Sequence, residues 1–351
     1  MPKPLRVGIA GIRHSHTPTL VRQWGEIEDA EVVAAADSFP SARALASDAW
    51  GIPAIYETWD AMFDAEDLDV VTSTLPNTQH ADIVDACAAR GLPVLIEKPM
   101  ASALADADRM VQAAEASGIP ALINWPTLGQ TAFETGAQMI ADGAIGTPRQ
   151  YVFRGGNPIA TRKAEQPDWF QWLFDAAQGG GSWIDYAGYG AAPCLLWMGR
   201  PRRLAARGAS VTERNARADE SAAAVLEFPR GLGIIQTSHV QVGYPGPQGT
   251  MLHVEVSGET GVLVLTPGAD GVDLRIFDGD KRRAGELIET QAPAPERRSG
   301  VAYFAHCVRE GLPIEGRGSF RFNREVVAII DAGVRALTTG ASVGVPPALD
   351  G

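Results

Sequence analysis

The 351-residue chain has few cysteines and no long apolar run. Its three cysteines, Cys87, Cys194 and Cys307, are widely spaced and form no C-x-x-C pair, so neither a disulfide framework nor a thiolate zinc site is expected. No run approaches the roughly 18 apolar residues of a transmembrane helix, and the first residues lack the apolar stretch of a secretory signal. These absences predict a cytoplasmic protein without a membrane span.

Positive charge is also scarce. The chain has 30 Lys and Arg residues against 42 Asp and Glu, which gives a formal net charge of -12. A negative charge of this size opposes binding to nucleic acid and to anionic membranes. The expected partner is therefore a small molecule.

The first third of the sequence alternates between strand-like and helix-like stretches. Ala-rich amphipathic stretches separate the runs LRVGIA, EVVAAAD, DVVTSTLP, LPVLIE and ALIN. Nearly continuous apolar strands in such an alternation are typical of a parallel sheet that helices cover on both faces. Residues 1–124 are therefore predicted to form a doubly wound α/β domain of the Rossmann type, which binds a dinucleotide.

Residues 125–351 have a different pattern. A helical stretch, TAFETGAQMIADGAIG, is followed by β-type runs such as SAAAVLEF, LGIIQTSHV, MLHVEVSG and GVLVLTP. Turns such as FPRG and SGETG join these runs, which indicates antiparallel pairing. Two helices are predicted near the C-terminus, in SGVAYFAHCVREGLP and NREVVAIIDAGVRALTTG. The second domain is therefore predicted to be α+β, with a large, open, mostly antiparallel sheet.

The turn after the first strand, GIAGIRHSH, is a degenerate form of the dinucleotide-binding pattern G-x-G-x-x-G. Gly11 stands at the first glycine position, whereas Arg13 and His16 occupy the other two. Arg13 can contact a phosphate through its guanidinium, and His16 can lie near the helix start. The alternatives are that these are solvated turn residues, or that His14 and His16 bind a metal. Since no third ligand lies nearby in the sequence, no metal is predicted.

Asp37 ends the second predicted strand, 21 residues beyond His16. An acidic side chain at this position can accept hydrogen bonds from the ribose hydroxyls of the adenosine half, which favours NAD, with NADP as the second choice. The alternative is that Asp37 is an exposed cap at the start of the following helix.

Two later strand ends carry TLPNTQH at residues 74–80 and IEKPMA at residues 96–101, and GAIGTP, GGGSWIDYAGY and TTGASVGVPP follow in order. With these motifs the chain resembles the glucose-fructose oxidoreductase / inositol dehydrogenase / rhizopine-catabolism (Gfo/Idh/MocA) family over nearly its whole length. The resemblance implies an NAD(P)-dependent oxidoreductase. The residues that it assigns to the cofactor are Gly11, Ile12, Arg13, His16, Asp37, Thr74, Leu75, Pro76, Asn77, His80, Glu97 and Lys98.

The same motifs supply three candidate catalytic residues. Lys98, at the carboxyl end of a parallel strand, can hydrogen-bond a substrate oxygen and stabilise alkoxide character as hydride leaves or arrives. Asp185 and Tyr189 are four residues apart and share one helix face, so both can reach one substrate oxygen. Tyr189 resembles the branch that includes glucose-fructose oxidoreductase and dihydrodiol dehydrogenase, since the inositol dehydrogenase type carries His there. Lys98 is the candidate to stabilise the phenolate of Tyr189, unless Lys98 is a surface charge or Tyr189 a core residue.

The substrate side is predicted from the same resemblance. The resembling fold implies that segments carrying Asn124, Trp125, Arg154, Arg162, Lys163, Trp169 and Trp172 border the substrate cleft. Four of these residues are the substrate-binding candidates, namely Asn124, Trp125, Arg162 and Trp172. Aromatic and cationic side chains together suit a polyol ring or a sugar acid, although tryptophans are more often core residues.

The predicted activity is hydride transfer between nicotinamide and a secondary alcohol or carbonyl of a sugar, cyclitol or related small molecule. One alternative is a cofactor-binding sensor that has lost turnover, which the two missing glycines favour. Another is a redox-neutral enzyme that recycles bound NAD.

A homodimer or homotetramer is predicted as well, because the helices expected after residue 150 are too few to cover both faces of the second sheet. The alternative is a monomer in which residues 240–250 fold over the open face.

Overall fold

The structure is a computed structural model that describes residues 3–160, 168–212, 218–240, 251–268, 271–278 and 285–349. The chain forms two compact units. The first comprises Met1–Gly129, Pro167–Leu173 and Ala294–Arg324, and the second comprises Gln130–Gln166, Phe174–Pro293 and Glu325–Gly351. Across the described residues, no helix has both the length and the apolar character needed to cross a bilayer.

The first unit contains a six-stranded parallel sheet. Its strands are β1 (Leu5–Ala10), β2 (Ala30–Ala36), β3 (Ala54–Tyr56), β4 (Val70–Ser73), β5 (Val94–Glu97) and β6 (Ala121–Asn124), in the order β3-β2-β1-β4-β5-β6. The connecting helices are α1 (Thr17–Gly25), α2 (Pro40–Trp50), α3 (Trp59–Ala65), α4 (His80–Arg90) and α5 (Leu104–Ser117). Strands β4, β5 and β6 are buried throughout, which explains why their sequences are continuous apolar runs. The predicted doubly wound fold is confirmed.

The second unit contains a nine-stranded sheet. The helices α6 (Ala132–Ala141) and α7 (Ser182–Trp197) belong to this unit, and the strands are β7 (Pro148–Gly156), β8 (Arg203–Ala209), β9 (Ser221–Phe228), β10 (Gly231–Ser238), β11 (Met251–Gly258), β12 (Gly261–Gly268), β13 (Gly271–Asp278), β14 (Glu286–Ile288) and β15 (Val343–Gly344). The order is β14-β13-β12-β11-β7-β10-β9-β8-β15, and every pairing is antiparallel except that of β7 with β10. The predicted mostly antiparallel sheet is therefore confirmed.

Helix α7 packs on one face of this sheet, against β7, β9 and β10. The approach is close, because a Cβ placed on Gly190 would lie 2.5 Å from the Phe153 ring. On the opposite face, three apolar side chains of β9 and β10 are exposed: Val225 at 47%, Leu232 at 55% and Ile234 at 44%. Val225 and Ile234 are direct cross-strand partners, so the exposed residues are neighbours.

The two predicted C-terminal helices are α8 (Gly300–Glu310) and α9 (Phe320–Thr339). Although α8 follows strands β7 to β14 of the second unit in sequence, it belongs to the first unit. Its Val301 and Phe304 are completely buried in one apolar cluster with Ile9 and Leu122, and the Phe304 ring meets Trp24 edge-on at 6.3 Å. This helix therefore supplies part of the core of the dinucleotide-binding unit.

Candidate active site

The turn after β1 packs directly against the turn after β4. Gly11 has φ +87°, and a Cβ at this position would lie 2.6 Å from the backbone nitrogen of Leu75. The Thr74 hydroxyl donates to the Gly11 carbonyl at 2.6 Å. Only glycine satisfies both the left-handed conformation and this contact, which explains why the first glycine of the pattern is present.

Arg13 and Asp37 form a buried ion pair. The Arg13 Nε atom lies 3.2 Å from Asp37 Oδ1, and the two residues are 7% and 4% exposed. The Asp37 carboxylate also accepts hydrogen bonds from the backbone nitrogens of Ile12 and Phe39, at 2.8 and 2.9 Å. Arg13 is thus not a solvated turn residue, and the N-cap of α2 is Phe39 rather than Asp37. The Asp37 carboxylate therefore holds the turn that contains Ile12 and lies beside the Arg13 guanidinium.

A cavity of about 170 Å³ adjoins this pair. Its lining includes Arg13 and Asp37 with Ser38, Trp59 and Leu75, and it lies where β1, β2 and β4 end. The carboxyl ends of the strands in a doubly wound sheet are where dinucleotides bind. The tight Gly11 turn and the acidic side chain beside the cavity fit the adenosine half of such a cofactor.

Glu97, the last residue of β5, is a buried carboxylate with two partners. His16 Nδ1 lies 2.9 Å from its Oε1, and the Asn124 side-chain nitrogen donates to Oε2 at 2.9 Å. Burial alone would raise the pKa of Glu97, but the charge and hydrogen bond of His16, together with His14 and Lys98, lower it to about 2. Glu97 is therefore ionised at neutral pH. The next residue in the chain, Lys98, is only 3% exposed. Lys98 is not a surface lysine.

His80 connects the two motif segments that follow β4 and β5. Its Nε2 lies 3.0 Å from the Leu75 carbonyl oxygen, and its Nδ1 lies 3.2 and 3.1 Å from the Pro99 and Met100 carbonyl oxygens. Burial lowers the pKa of His80, and its contacts with the three carbonyl oxygens oppose this shift. The predicted cofactor residues Leu75, Pro76 and Asn77 are buried in the turn that His80 holds.

The predicted substrate residues occupy different surroundings. Trp125 is buried and its Nε1 donates to Asn323 Oδ1 at 2.7 Å, and Trp172 is buried and its Nε1 donates to the Arg13 carbonyl at 2.9 Å. Both indole nitrogens therefore have protein acceptors, as in a core tryptophan. Asn124 is bonded to Glu97 as described, and Arg162 lies outside the described residues. A substrate contact by these side chains stays a prediction.

In the second unit, Asp185 lies in the first turn of α7 and Tyr189 one turn later. Asp185 is 9% exposed, and its Oδ2 lies 3.1 Å from Nε2 of the completely buried His239. Tyr189 is half-buried and stacks on Tyr186 with ring centroids 5.8 Å apart. A buried carboxylate, an imidazole and a phenol thus cluster around one helix face.

His239 is a functional candidate that the sequence motifs did not identify. It directly follows β10, in the run LGIIQTSHV, which reads as an ordinary strand end. The only sequence signal is a histidine at a strand terminus, and many such residues are structural. Its pairing with Asp185, 54 positions earlier, becomes visible only in the fold.

Among the described residues, no group of three or more His, Cys, Asp and Glu side chains is arranged to hold a metal ion. His14 and His16 instead contact each other, with ring centroids 4.7 Å apart and with His14 Nδ1 accepting from the His16 backbone nitrogen.

A glycine turn on a doubly wound sheet, with a cavity at the carboxyl ends of the strands, is typical of a dinucleotide-binding protein. Residues 5–124 match the profile of the oxidoreductase family GFO_IDH_MocA with its NAD-binding Rossmann fold, and residues 133–264 match the GFO/IDH/MocA C-terminal domain. The chain belongs to the Gfo/Idh/MocA family. The family, the fold class and the nicotinamide cofactor implied by the sequence motifs are thereby confirmed.

Individual relatives match most of the length of the chain. The chain is 30% identical over 345 residues to a D-apiose dehydrogenase of Paraburkholderia graminis, covering 91% of this chain and 84% of the relative. It is 28% identical over 330 residues to a D-xylose 1-dehydrogenase (NADP(+)) of Haloferax volcanii, covering 88% and 91%. A levoglucosan dehydrogenase structure with NADH and levoglucosan has the same fold, with a TM-score of 0.79 at 17% identity and coverage of 98% and 100%.

Proposed function

We propose that the protein transfers a hydride between nicotinamide and a secondary alcohol or carbonyl of a sugar or related polyol. The observation that carries this proposal is the burial of Lys98 beside the ionised Glu97 at the carboxyl end of β5. A buried ammonium at this place can stabilise negative charge on a substrate oxygen. The names of the relatives, which act on D-apiose and D-xylose, support a sugar as the substrate class.

In this proposal the bound nicotinamide supplies or accepts the hydride. Lys98 stabilises the developing charge on the substrate oxygen, and the Tyr189 hydroxyl holds or releases the proton at that oxygen. Asp185 accepts a hydrogen bond from a substrate hydroxyl. Glu97 keeps the lysine segment in place through His16 and Asn124, and His80 does the same for the turn that carries Leu75 and Asn77.

The proposal is tested by incubating the purified protein with NAD or NADP and a panel of pentoses, hexoses, anhydrosugars and cyclitols while nicotinamide absorbance is followed. Calorimetry measures cofactor binding separately. Turnover with at least one sugar is expected. Tight NAD binding without turnover would favour the sensor alternative, and a changed sugar without net NADH would favour the redox-neutral enzyme.

Replacing Asp37 by alanine is expected to weaken NAD binding about tenfold and to weaken NADP binding less. The carboxylate is the acceptor that we propose for a ribose hydroxyl, and its charge repels a 2′-phosphate. Its removal also frees the Arg13 guanidinium, which now faces Asp37, for that phosphate. Calorimetric dissociation constants for both cofactors give the ratio directly.

Two variants serve as controls for this prediction. Adding Arg13→Ala to Asp37→Ala should remove the relative gain for NADP. Asp60→Ala, which removes an exposed carboxylate of the same cavity, should change both constants little. Equal weakening of NAD and NADP by Asp37→Ala would limit Asp37 to holding the turn.

We also propose that the protein assembles as a homodimer or homotetramer through the exposed face of the second sheet. Val225, Leu232 and Ile234 form an apolar patch on adjacent strands, and such patches usually mark an interface. The alternative that residues 240–250 fold over this face instead cannot be compared with the structure, because residues 241–250 lie outside the described residues. A two-fold contact of the same face with itself is the simplest assembly.

Light scattering should therefore give a mass of at least twice 37.2 kDa at micromolar concentration. Ile234→Lys should shift the mass toward the monomer, whereas Val211→Lys, an equally exposed valine outside these strands, should not. A monomeric mass that persists as the sample is concentrated would contradict the assembly.

We place the protein in the cytoplasm. Cys87, Cys194 and Cys307 are all buried free thiols, and burial raises the pKa values of Cys87 and Cys194, so these side chains are unreactive components of the core. A chain with this cysteine usage suits a reducing compartment.

A further inference from the structure

His239, Asp185 and Tyr189, three neighbouring side chains of the second unit, are buried to decreasing degrees. His239 is completely buried, Asp185 is nearly so, and Tyr189 is half-buried. His239 Nε2 contacts the Asp185 carboxylate, and Tyr189 lies one turn further along α7. An imidazole without solvent access cannot meet a dissolved substrate directly, so His239 must act through a neighbouring side chain, and Asp185 is the neighbour that it contacts through a ring nitrogen.

The imidazole is held in one place. The His239 backbone nitrogen donates to the Glu220 carbonyl at 2.8 Å, and the His239 carbonyl accepts from the Ala160 nitrogen at 2.8 Å. The ring meets Phe174 and Tyr186 edge-on, with centroids 5.7 and 5.8 Å away. Backbone bonds on both sides and aromatic rings around the imidazole therefore determine where Nε2 points.

The surroundings of His239 also favour one tautomer of its imidazole. Within the described part of the chain, His239 Nδ1 is buried and has no hydrogen-bond partner. A proton on Nδ1 would be a buried unsatisfied donor, so the tautomer with its proton on Nε2 is favoured. In that form Nε2 donates to Asp185 Oδ2, and this hydrogen bond fixes the orientation of the carboxylate.

We propose that His239 is a positioning residue of the hydride-transfer site, which holds the Asp185 carboxylate in the orientation that accepts a hydrogen bond from a substrate hydroxyl. This inference rests on the proposed function of Asp185. It assigns a role to a residue outside the recognisable motifs and implies that the substrate presents a hydroxyl donor to α7.

The test compares two substitutions of the same side chain. His239→Leu removes the donor and should lower kcat by tenfold to a hundredfold, roughly the effect of losing a hydrogen bond to a charged group. His239→Gln keeps an N–H that can reach the carboxylate and should retain most of kcat. NAD affinity, measured by calorimetry, should be unchanged in both because the proposed NAD residues belong to the first unit. In an Asp185→Asn background, His239→Leu should cause no further loss.

A spectroscopic measurement on the unsubstituted protein does not depend on turnover. Nitrogen-15 correlation spectra should show His239 protonated at Nε2 and unprotonated at Nδ1 at neutral pH. His306→Leu, which changes a half-buried histidine of α8, is the matched control and should alter neither kcat nor the His239 signals.

Several results would overturn the role of His239. These are a proton on Nδ1 alone, equal losses in the Leu and Gln variants, or additive losses with Asp185→Asn. If His239→Leu does not fold, the Gln variant and the spectra of the unsubstituted protein still decide. Absence of turnover by the unsubstituted protein would instead overturn the proposed function, and with it this role, whatever the tautomer.

Discussion

Replacing Lys98 by alanine is expected to lower kcat by about a hundredfold or more, because it removes a transition-state contact typically worth about 3 kcal/mol. The lysine is buried after β5. Its loss also leaves the buried carboxylate of Glu97 with one fewer neighbouring cation, so some loss of thermal stability is expected as well. Stopped-flow or steady-state rates with the best sugar of the panel measure the effect.

Two variants separate chemistry from stability at this position. Lys98→Met keeps most of the apolar stem but not the charge, and should lose as much rate as Lys98→Ala with a smaller change in Tm. Lys3→Ala removes an exposed lysine that pairs with Asp67 at the surface, and should leave the rate unchanged. A Lys98→Ala protein within a factor of two of the unsubstituted rate would remove Lys98 from the mechanism.

Replacing Tyr189 by phenylalanine should cause the second large loss of rate, on the order of a hundredfold, with an unchanged Tm. The substitution deletes one hydroxyl and keeps the ring, which is stacked on Tyr186. If the phenol holds or releases the proton at the substrate oxygen, that step has no replacement in the variant. Rates and melting curves of the same preparation supply both quantities.

Tyr151→Phe is a matched control with the opposite expected pattern. The Tyr151 hydroxyl is buried and donates to the Gly190 carbonyl at 2.6 Å. Its loss should lower stability by about 1 kcal/mol while the rate stays nearly constant. A normal rate in Tyr189→Phe would make Tyr189 a packing residue of α7.

The fold could be predicted from the sequence where the pattern is local. Continuous apolar runs predicted the parallel sheet, and the turns FPRG and SGETG predicted the β9–β10 and β11–β12 pairs. Strands of two or three residues, such as β3 and β15, leave too short a pattern to detect. The parallel pairing of β7 with β10 joins segments more than 70 residues apart, and no local signal encodes it.

The candidate site likewise contains residues that the sequence motifs identify and contacts that only the fold shows. Lys98, Asp185 and Tyr189 are in motifs and could be named from the sequence. The pairings that orient the acidic residues could not be predicted, although His16 itself was named: His16 meets Glu97 across 81 positions, and His239 meets Asp185 across 54. Such pairs depend on where strand ends meet after folding, and a histidine or asparagine can bond almost any neighbour.

Helix α8 returns to the core around Ile9 and Leu122, and this return limits where the chain can be divided between the two units. The chain leaves the dinucleotide-binding unit and comes back to it, so no single cut divides the sequence into two self-sufficient pieces. A fragment ending at Asn124 would expose the surface that Phe304 now covers and would be prone to aggregation. Exchange of cofactor modules between relatives by one crossover would separate a sheet from its own helix. A chimera in which residues 294–324 are transferred together with the N-terminal part requires at least three junctions.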